Sequence, residues 1–160
     1  MILAIIVHNF ARLNVEKLAA DLLLWSLLGA IGVGFGEEMI TRGSMVVGLR
    51  SRFSETGVWL FSTLLFSAMH APNMLFGMPP EGVPVQLVLT FVFGSGLYVI
   101  RRISGTLLLP MALHGLWDSS IFLSTATGVH PSVVQLAAYP LTIVCLIAFL
   151  RSHRPAPNRP

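Results

Sequence analysis

The chain consists of long apolar runs separated by short breaks that are polar or rich in glycine and proline. Each run has about the 20 mostly apolar residues that a helix needs to cross a bilayer. We therefore predict five membrane-spanning helices, at about residues 18–41, 56–76, 83–100, 105–123 and 131–150. Transmembrane strands would need alternating segments of about ten residues, whereas these runs are continuous. The pattern predicts an all-α, polytopic transmembrane helix bundle.

The amino-acid composition supports the same class. Of the 160 residues, 54% are hydrophobic and only 11% are charged, whereas a soluble domain has about 25% charged residues. Mean hydropathy is +0.78. The net charge of +3 comes from basic residues that stand singly or in pairs between apolar runs, so we expect no nucleic-acid partner. The single cysteine, Cys145, allows no disulfide within the chain.

The basic residues lie in alternate loops, which predicts an orientation in the membrane. Arginines follow the first, third and fifth predicted spans, at Arg50, Arg52, Arg101, Arg102, Arg151, Arg154 and Arg159. The intervening loops, around Glu81 and around His130, contain no Lys or Arg. The positive-inside rule therefore places the arginine-bearing loops and the C-terminus in the cytoplasm.

We divide the chain into an N-terminal segment at 1–17, a transmembrane core domain at 18–150 and a basic, proline-rich tail at 151–160. The tail has no apolar pattern and is predicted to be disordered. Arg12 and Lys17 disagree with the orientation, because they would lie outside. Two explanations stay open: the first span does not cross simply, or residues 1–10 are the remnant of an upstream helix in a truncated chain.

Several titratable side chains fall within or at the ends of the apolar runs, where charge is expensive. A charged residue at the centre of a spanning helix costs roughly 2.5–3.5 kcal/mol, and such residues usually face a protein interior or a cavity. They are Glu37, Glu38, Arg42, His70, His114 and Asp118. Three predicted spans contribute them at similar depth, so we predict a buried polar site inside the bundle.

The spacing of these residues suggests roles that the sequence leaves open. Glu38 and Arg42 lie four apart on one helix face, in the favourable order for an ion pair, which leaves Glu37 available as a base. Alternatively, both glutamates cap the membrane boundary with Arg42. His70 is either a hydrogen-bonded structural residue, a proton acceptor or a metal ligand. His114, with Asp118 four residues later, fits a metal-ligand pair, a proton relay or a structural hydrogen bond.

The same residues carry a resemblance to a known family. Residues 37–42, followed by Gly43, resemble the EExxxR motif of the type II CAAX prenyl endopeptidases, also called the CPBP or Abi family. Residues 66–70 resemble its FxxxH motif, and residues 114–118 resemble its HxxxN/D motif. The order and spacing match across about residues 34–120, which is most of the core domain.

The resemblance implies intramembrane hydrolysis of a peptide bond. In this interpretation Glu37 is the general base, and His70 orients and helps to deprotonate the attacking water. His114 and Asp118 face the scissile carbonyl and stabilise the oxyanion. Many relatives have Asn where this chain has Asp118, and an ionised Asp would repel an oxyanion. Asp118 must therefore be protonated, orient His114 or bind a metal.

The remaining expectations concern the supporting residues and the cofactor. Glu38 and Arg42 are expected to hold the first span in register. No cofactor is assigned: Glu37, His70 and His114 could hold zinc with water in the fourth position, but the chain lacks the HExxH spacing. We favour a metal-free mechanism.

The expected partners are the lipid bilayer and a peptide or protein substrate, in a multi-pass protein of a prokaryotic plasma membrane. The substrate is a membrane-associated, prenylated CAAX-type or bacteriocin-like peptide, and the sequence indicates neither which one nor the oligomeric state. One alternative is a non-catalytic immunity or scaffold protein of the same fold. A second is a proton-coupled transporter or channel subunit, although the internal repeat typical of transporters is missing from the sequence.

Overall fold

The computed structural model describes residues 1–153, and over that range it contains helices and turns but no strand. The α-helices are α1 Ile2–Ala11, α2 Ala20–Glu38, α3 Val46–Leu49, α4 Glu55–Ala68, α5 Val83–Ser104, α6 Leu108–Ala126 and α7 Val133–Ser152. A π-helical segment, Met39–Met45, joins α2 and α3 into one rod. Short 3₁₀ segments, Val15–Lys17, Ala71–Phe76 and Pro80–Gly82, lie in the connections. The prediction of an all-α fold is confirmed.

Three helices in the described range are long and apolar enough to cross a membrane: Ala20–Leu49, Pro80–Ser104 and Val133–Ser152. The predicted number of five spans is therefore approximate. Helix α4 has only 14 residues and the chain continues as a 3₁₀ segment, because Pro72 disfavours a helical residue before it. Helix α6 is longer but carries His114 and Asp118 in its centre. The two helices outside this set, α4 and α6, are thus the ones that lead into or bear the histidine motifs.

Helices α2 and α6 cross with their backbones in contact. The buried face of α2 has one residue per turn, namely Ser26, Ala30, Gly34 and Glu38. A Cβ atom on Gly34 would lie 2.8 Å from the backbone nitrogen of Gly115 and from the carbonyl oxygen of Met111. A Cβ atom on Gly115 would lie 2.9 Å from the carbonyl oxygen of Ala30. Small residues allow this approach, which brings the Glu38 side chain against α6.

We expect Gly34→Ala to lower the stability of the protein, because its methyl group has no space at the crossing. Overpacking of this kind costs about 1–3 kcal/mol, which outweighs the roughly 1 kcal/mol that alanine gains in helix propensity. Gly32→Ala is the matched control, since a Cβ atom there meets nothing within 4 Å. The thermal unfolding midpoints of both variants, followed by tryptophan fluorescence in one detergent, test this. Equal midpoints would contradict the tight crossing.

Helix α1 packs against α6 and α7. Its buried face includes Ile2, Ile5 and Ile6, and the side chain of Asn9 donates a hydrogen bond to Ser120 Oγ at 3.2 Å. Arg12 donates to the carbonyl oxygen of His130 at 3.3 Å, which places it beside the α6–α7 connection.

The C-terminal helix extends slightly beyond its predicted end. Helix α7 includes Arg151 and Ser152, the first two residues of the predicted tail. The rest of that prediction falls on residues 154–160, which lie outside the described range.

A polar cluster that the sequence analysis missed joins the start of α4 to the end of α5. Arg102 donates through Nε to Glu55 Oε1 at 2.6 Å and through Nη2 to Oε2 at 2.8 Å. The Tyr98 hydroxyl donates to the same Oε1 at 2.6 Å. Bidentate arginine–carboxylate pairs fix geometry as well as charge. This cluster therefore holds α4 and α5 together at the end of the bundle where the arginines lie.

Candidate active site

A cavity of about 750 Å³ lies between α2, the α4–α5 connection and helices α5, α6 and α7. The four residues predicted to be catalytic, Glu37, His70, His114 and Asp118, all line it. They come from three separate helices or their ends, as the sequence predicted. Their chemical roles stay predictions, but their placement around one cavity is a finding.

Glu37 and His70 face each other across one side of the cavity. Glu37 Oε2 lies 4.0 Å from His70 Nε2, and within the described range this oxygen has no hydrogen-bond partner. His70 Nδ1 lies 2.9 Å from the carbonyl oxygen of Phe66. Because a carbonyl oxygen can only accept, Nδ1 carries the proton. In the neutral imidazole, Nε2 is then an acceptor directed toward Glu37.

The helix end explains why His70 is available for this contact. Helix α4 stops at Ala68, so His70 stands in the turn that leads into the 3₁₀ segment. Its side chain reaches back one turn to Phe66, and its ring lies 5.1 Å from the Phe66 ring. The FxxxH spacing thus positions the imidazole through the backbone and the ring of the same phenylalanine.

The guanidinium of Arg42 is fully buried and connects three elements. It donates to Glu38 Oε1 at 2.9 Å and to Thr41 Oγ1 at 2.7 Å. It also donates to the carbonyl oxygen of Gly94 on α5 at 2.7 Å and lies 4.1 Å from the centre of the Phe66 ring. A Cβ atom on Gly94 would lie 2.7 Å from the guanidinium, so a side chain there would displace it. The Glu38–Arg42 ion pair is present and, as buried charges require, is supported by further hydrogen bonds.

The π-helical segment after Glu38 was not predicted. It begins at Met39 and includes both Thr41 and Arg42, which are fully buried. Segments of this kind occur often at functional sites. Hydrophobic periodicity gave no indication of it, because the runs before and after it are apolar.

His114 lies between two carboxylates. Its Nδ1 is 3.1 Å from Glu38 Oε1 and its Nε2 is 3.3 Å from Asp118 Oδ2. The imidazole is 1% exposed, whereas the Asp118 side chain is 36% exposed and reaches the cavity. Both ring nitrogens are therefore engaged. Of the three alternatives for Asp118, this geometry favours the one in which it orients His114.

Aromatic rings surround the His114 imidazole on its remaining sides. The rings of Phe66 and Phe93 lie edge-on at 5.4 and 5.7 Å, and Phe93 stacks on Trp117 at 4.8 Å. These rings limit access of water to the Glu38–His114 contact. Hydrogen bonds there are consequently stronger than they would be in water.

The residues proposed for zinc do not present a common ligand set. The His114 nitrogens are directed at Glu38 and Asp118, and His70 Nδ1 is directed at a carbonyl oxygen. Within residues 1–153, no group of three or more His, Cys, Asp or Glu side chains is arranged to hold a metal ion. His114 therefore has no free nitrogen for an ion shared with Glu37 and His70, whereas His70 Nε2 is directed toward Glu37.

Uncharged polar side chains that the sequence analysis did not identify also line the cavity. They are Asn73, Gln86, Thr90, Thr125, Gln135 and Tyr139. Gln86 Oε1 is buried without a partner in the described range. Gln86 and Gln135 stand in apolar runs, so the criterion that selected His70 would also have found them.

The charge around the cavity is unbalanced. Glu37 and Asp118 line it, together with two histidines, but none of its described lining residues is Lys or Arg. Arg42 is fully buried on Glu38 and cannot neutralise a ligand. The cavity therefore favours neutral or cationic groups.

The comparisons with known proteins agree with the motifs. A family model described as type II CAAX prenyl endopeptidase Rce1-like matches residues 19–120. The matched range contains Glu37, Arg42, His70, His114 and Asp118. No curated protein and no solved structure matches the chain.

Proposed function

Because the chain belongs to the Rce1-like type II CAAX prenyl endopeptidase family, we propose that it hydrolyses a peptide bond in the cavity described above. The family is a protease family, and the apolar helices make the chain an integral membrane protein. The main support for the proposal is the arrangement of Glu37 and His70. An unpartnered carboxylate oxygen and an acceptor nitrogen face each other in a cavity large enough for a peptide segment.

The separation of 4.0 Å between Glu37 Oε2 and His70 Nε2 is too long for a direct hydrogen bond and suits a bridging water. Such a water directs one hydrogen to each acceptor and presents its oxygen to a scissile carbonyl carbon. Glu37 takes the proton as the oxygen attacks, and His70 holds the water in place. The C–N bond then breaks, and the proton passes from Glu37 to the leaving nitrogen.

His114 can donate a hydrogen bond to the oxyanion only if it first gives up its contact with Asp118. Its Nε2 is engaged by Asp118, so stabilising the oxyanion requires that the imidazole N–H leave Asp118 for the developing charge. Glu38 fixes the opposite nitrogen and holds the ring during this exchange. The shared Glu38 oxygen also links the ring to Arg42, which is how these two residues support the site.

The first experiment is incubation of the purified protein, in detergent, with a library of apolar and amphipathic peptides. Mass spectrometry of the fragments identifies any bond that is cleaved. Fragments that appear with the wild-type protein, and not with the Glu37→Gln variant, would establish the activity. The charge of the cavity further indicates that the substrate segment is neutral or cationic next to the scissile bond.

We expect a free carboxylate near the scissile bond to slow cleavage by about tenfold or more. The reason is repulsion: like charges about 7 Å apart in a protein environment cost about 2 kcal/mol, and each 1.4 kcal/mol is tenfold. Two peptides of identical sequence test this, one ending two residues after the cleaved bond as the free acid and the other as the amide. The same pair extended by six neutral residues is the control. Equal kcat/KM values for the short pair would contradict the charge preference.

A further inference from the structure

A second cavity, called here the α2–α6 groove, adjoins the candidate active site. It has a volume of about 500 Å³ and lies between the first two-thirds of α2 and the second half of α6. Three of its lining residues, Val33, Asp118 and Phe122, also line the first cavity. The two cavities therefore share a boundary at Asp118, one of the candidate catalytic residues.

The rest of the groove is lined by one face of α2. That face consists of Asp21, Leu22, Trp25, Ser26, Gly29 and Ala30. Asp21 precedes Glu37 by sixteen residues of the same helix, which is about 24 Å along its axis. An extended peptide covers about 3.3 Å per residue, so about seven residues connect the two positions. The groove thus has the length of a peptide segment.

The groove offers hydrogen-bond acceptors and negative charge. Asp21 lies at its outer end and Asp118 where it meets the first cavity, and none of its described lining residues is Lys or Arg. The Ser26 hydroxyl is buried on its wall and has no hydrogen-bond partner in the described range. A buried polar group without a partner costs free energy, and the backbone of a bound peptide would satisfy it.

The outer end of the groove suits a basic side chain. Asp21 and Trp25 lie four residues apart on one helix face, and both are exposed. A carboxylate pairs with an ammonium or guanidinium group, and the face of an indole ring attracts the same cations. Asp21 Oδ1 accepts from the Leu22 N–H at 2.9 Å, which leaves the second oxygen for a ligand. Lys17, the cation nearest to Asp21 in the chain, lies close to Gly128 instead.

We propose that the α2–α6 groove binds the substrate on one side of the scissile bond and that Asp21 and Trp25 hold a substrate Lys or Arg side chain. This inference rests on the proposed hydrolysis and adds a specificity site to it. The recognised basic residue lies about seven positions from the cleaved bond, the number of extended residues between Asp21 and Glu37. Apolar substrate residues pack between them on the α2 face. The substrate class is therefore a cationic, amphipathic peptide.

A lysine scan of a cleaved peptide tests the position of the basic residue. A single Lys is moved through otherwise neutral positions on each side of the cleaved bond, and kcat/KM is compared with that of the peptide with Gln in its place. We expect a maximum about seven residues away on one side, with an increase of about threefold to tenfold from the exposed carboxylate and indole. Asp21→Asn should remove this maximum. Glu16→Gln, which removes an exposed carboxylate outside the groove, should keep it.

Binding in the absence of cleavage tests the groove separately from the reaction. In the Glu37→Gln background, fluorescence anisotropy gives the affinity for a dye-labelled, blocked peptide of Ala, Ser and Leu that carries one Lys, and for its Gln counterpart. Gly29→Leu fills the groove without a clash, because a Cβ atom there meets nothing within 4 Å. We expect it to weaken binding of the Lys peptide by about tenfold. Gly32→Leu is the matched control, since Gly32 is equally unobstructed but lies outside the groove.

The outcomes separate this inference from the proposed function. Cleavage that depends on Glu37 but shows no preference for Lys at any position would keep the hydrolysis and overturn the specificity site. Equal affinity for the Lys and Gln peptides, or binding that neither Asp21→Asn nor Gly29→Leu weakens, would also overturn it. Lys-selective binding that Asp21→Asn abolishes, in a protein that cleaves no peptide, would support the groove as a peptide site and refute the hydrolysis.

Discussion

Glu37→Gln is expected to reduce peptide cleavage by about 10²–10⁴-fold, the usual contribution of a general base. The substitution keeps the size of the side chain and removes its ability to take a proton from water. It leaves the fold intact, because Glu37 Oε2 has no hydrogen-bond partner within the described range. The measurement is kcat/KM on a peptide that the wild-type protein cleaves, together with the thermal unfolding midpoint.

Glu81→Gln is the matched control for this experiment. Glu81 is an exposed glutamate in the α4–α5 connection, next to the lining residue Gly82. It does not line the cavity itself, so its variant should retain wild-type activity. Cleavage by Glu37→Gln at more than a tenth of the wild-type rate would refute Glu37 as the base. If a cellular immunity phenotype survives in Glu37→Gln, the non-catalytic alternative is favoured instead.

Arg42→Met is expected to lower the free energy of unfolding by about 3–5 kcal/mol, the usual cost of breaking a buried ion pair. Breaking a buried ion pair leaves the other charge buried and uncompensated, and Glu38 is fully buried. The variant also removes the hydrogen bonds to Thr41 and to the Gly94 carbonyl. A large fall in the thermal unfolding midpoint, or failure to purify as a monodisperse species, is the expected outcome.

Arg50→Met is the control for this second prediction. Arg50 stands two turns further along the same rod but is exposed, and exposed charges contribute little to stability. In the double variant Arg42→Met/Glu38→Gln, the loss of unfolding free energy should be smaller than the sum of the losses in the two single variants. The reason is that the double variant leaves no buried charge without a partner. If Arg42→Met unfolds at the same temperature as Arg50→Met, the proposed role of the buried pair is wrong.

Much of the fold follows from the sequence because its causes are local. A helix forms wherever the chain offers a continuous apolar run, since the backbone must satisfy its hydrogen bonds within each segment in lipid. Pro72 and Gly105 mark breaks that the structure contains, although α4 ends at Ala68, well before the end of its apolar run. The Glu38–Arg42 pair also follows from spacing alone, because residues four apart share a helix face.

The composition of the site was predictable for a related reason. Glu37, His70, His114 and Asp118 stand out in apolar surroundings, and only a shared interior can accommodate several such side chains. The same criterion would also have found Gln86 and Gln135, two of the six uncharged polar residues that line the cavity. The family motifs within residues 19–120 then identified the class of chemistry.

The contacts that organise the site were decided by tertiary structure. Glu38 and His114 are 76 residues apart in the chain, and they meet because Gly34 and Gly115 let two backbones touch. That meeting engages His114 Nδ1, while Asp118 on the same helix engages Nε2. Sequence alone determined which polar groups had to be buried, because the apolar character of each segment can be read from the chain. Only the packing of the helices decided which groups became partners, since a contact depends on the distance between segments.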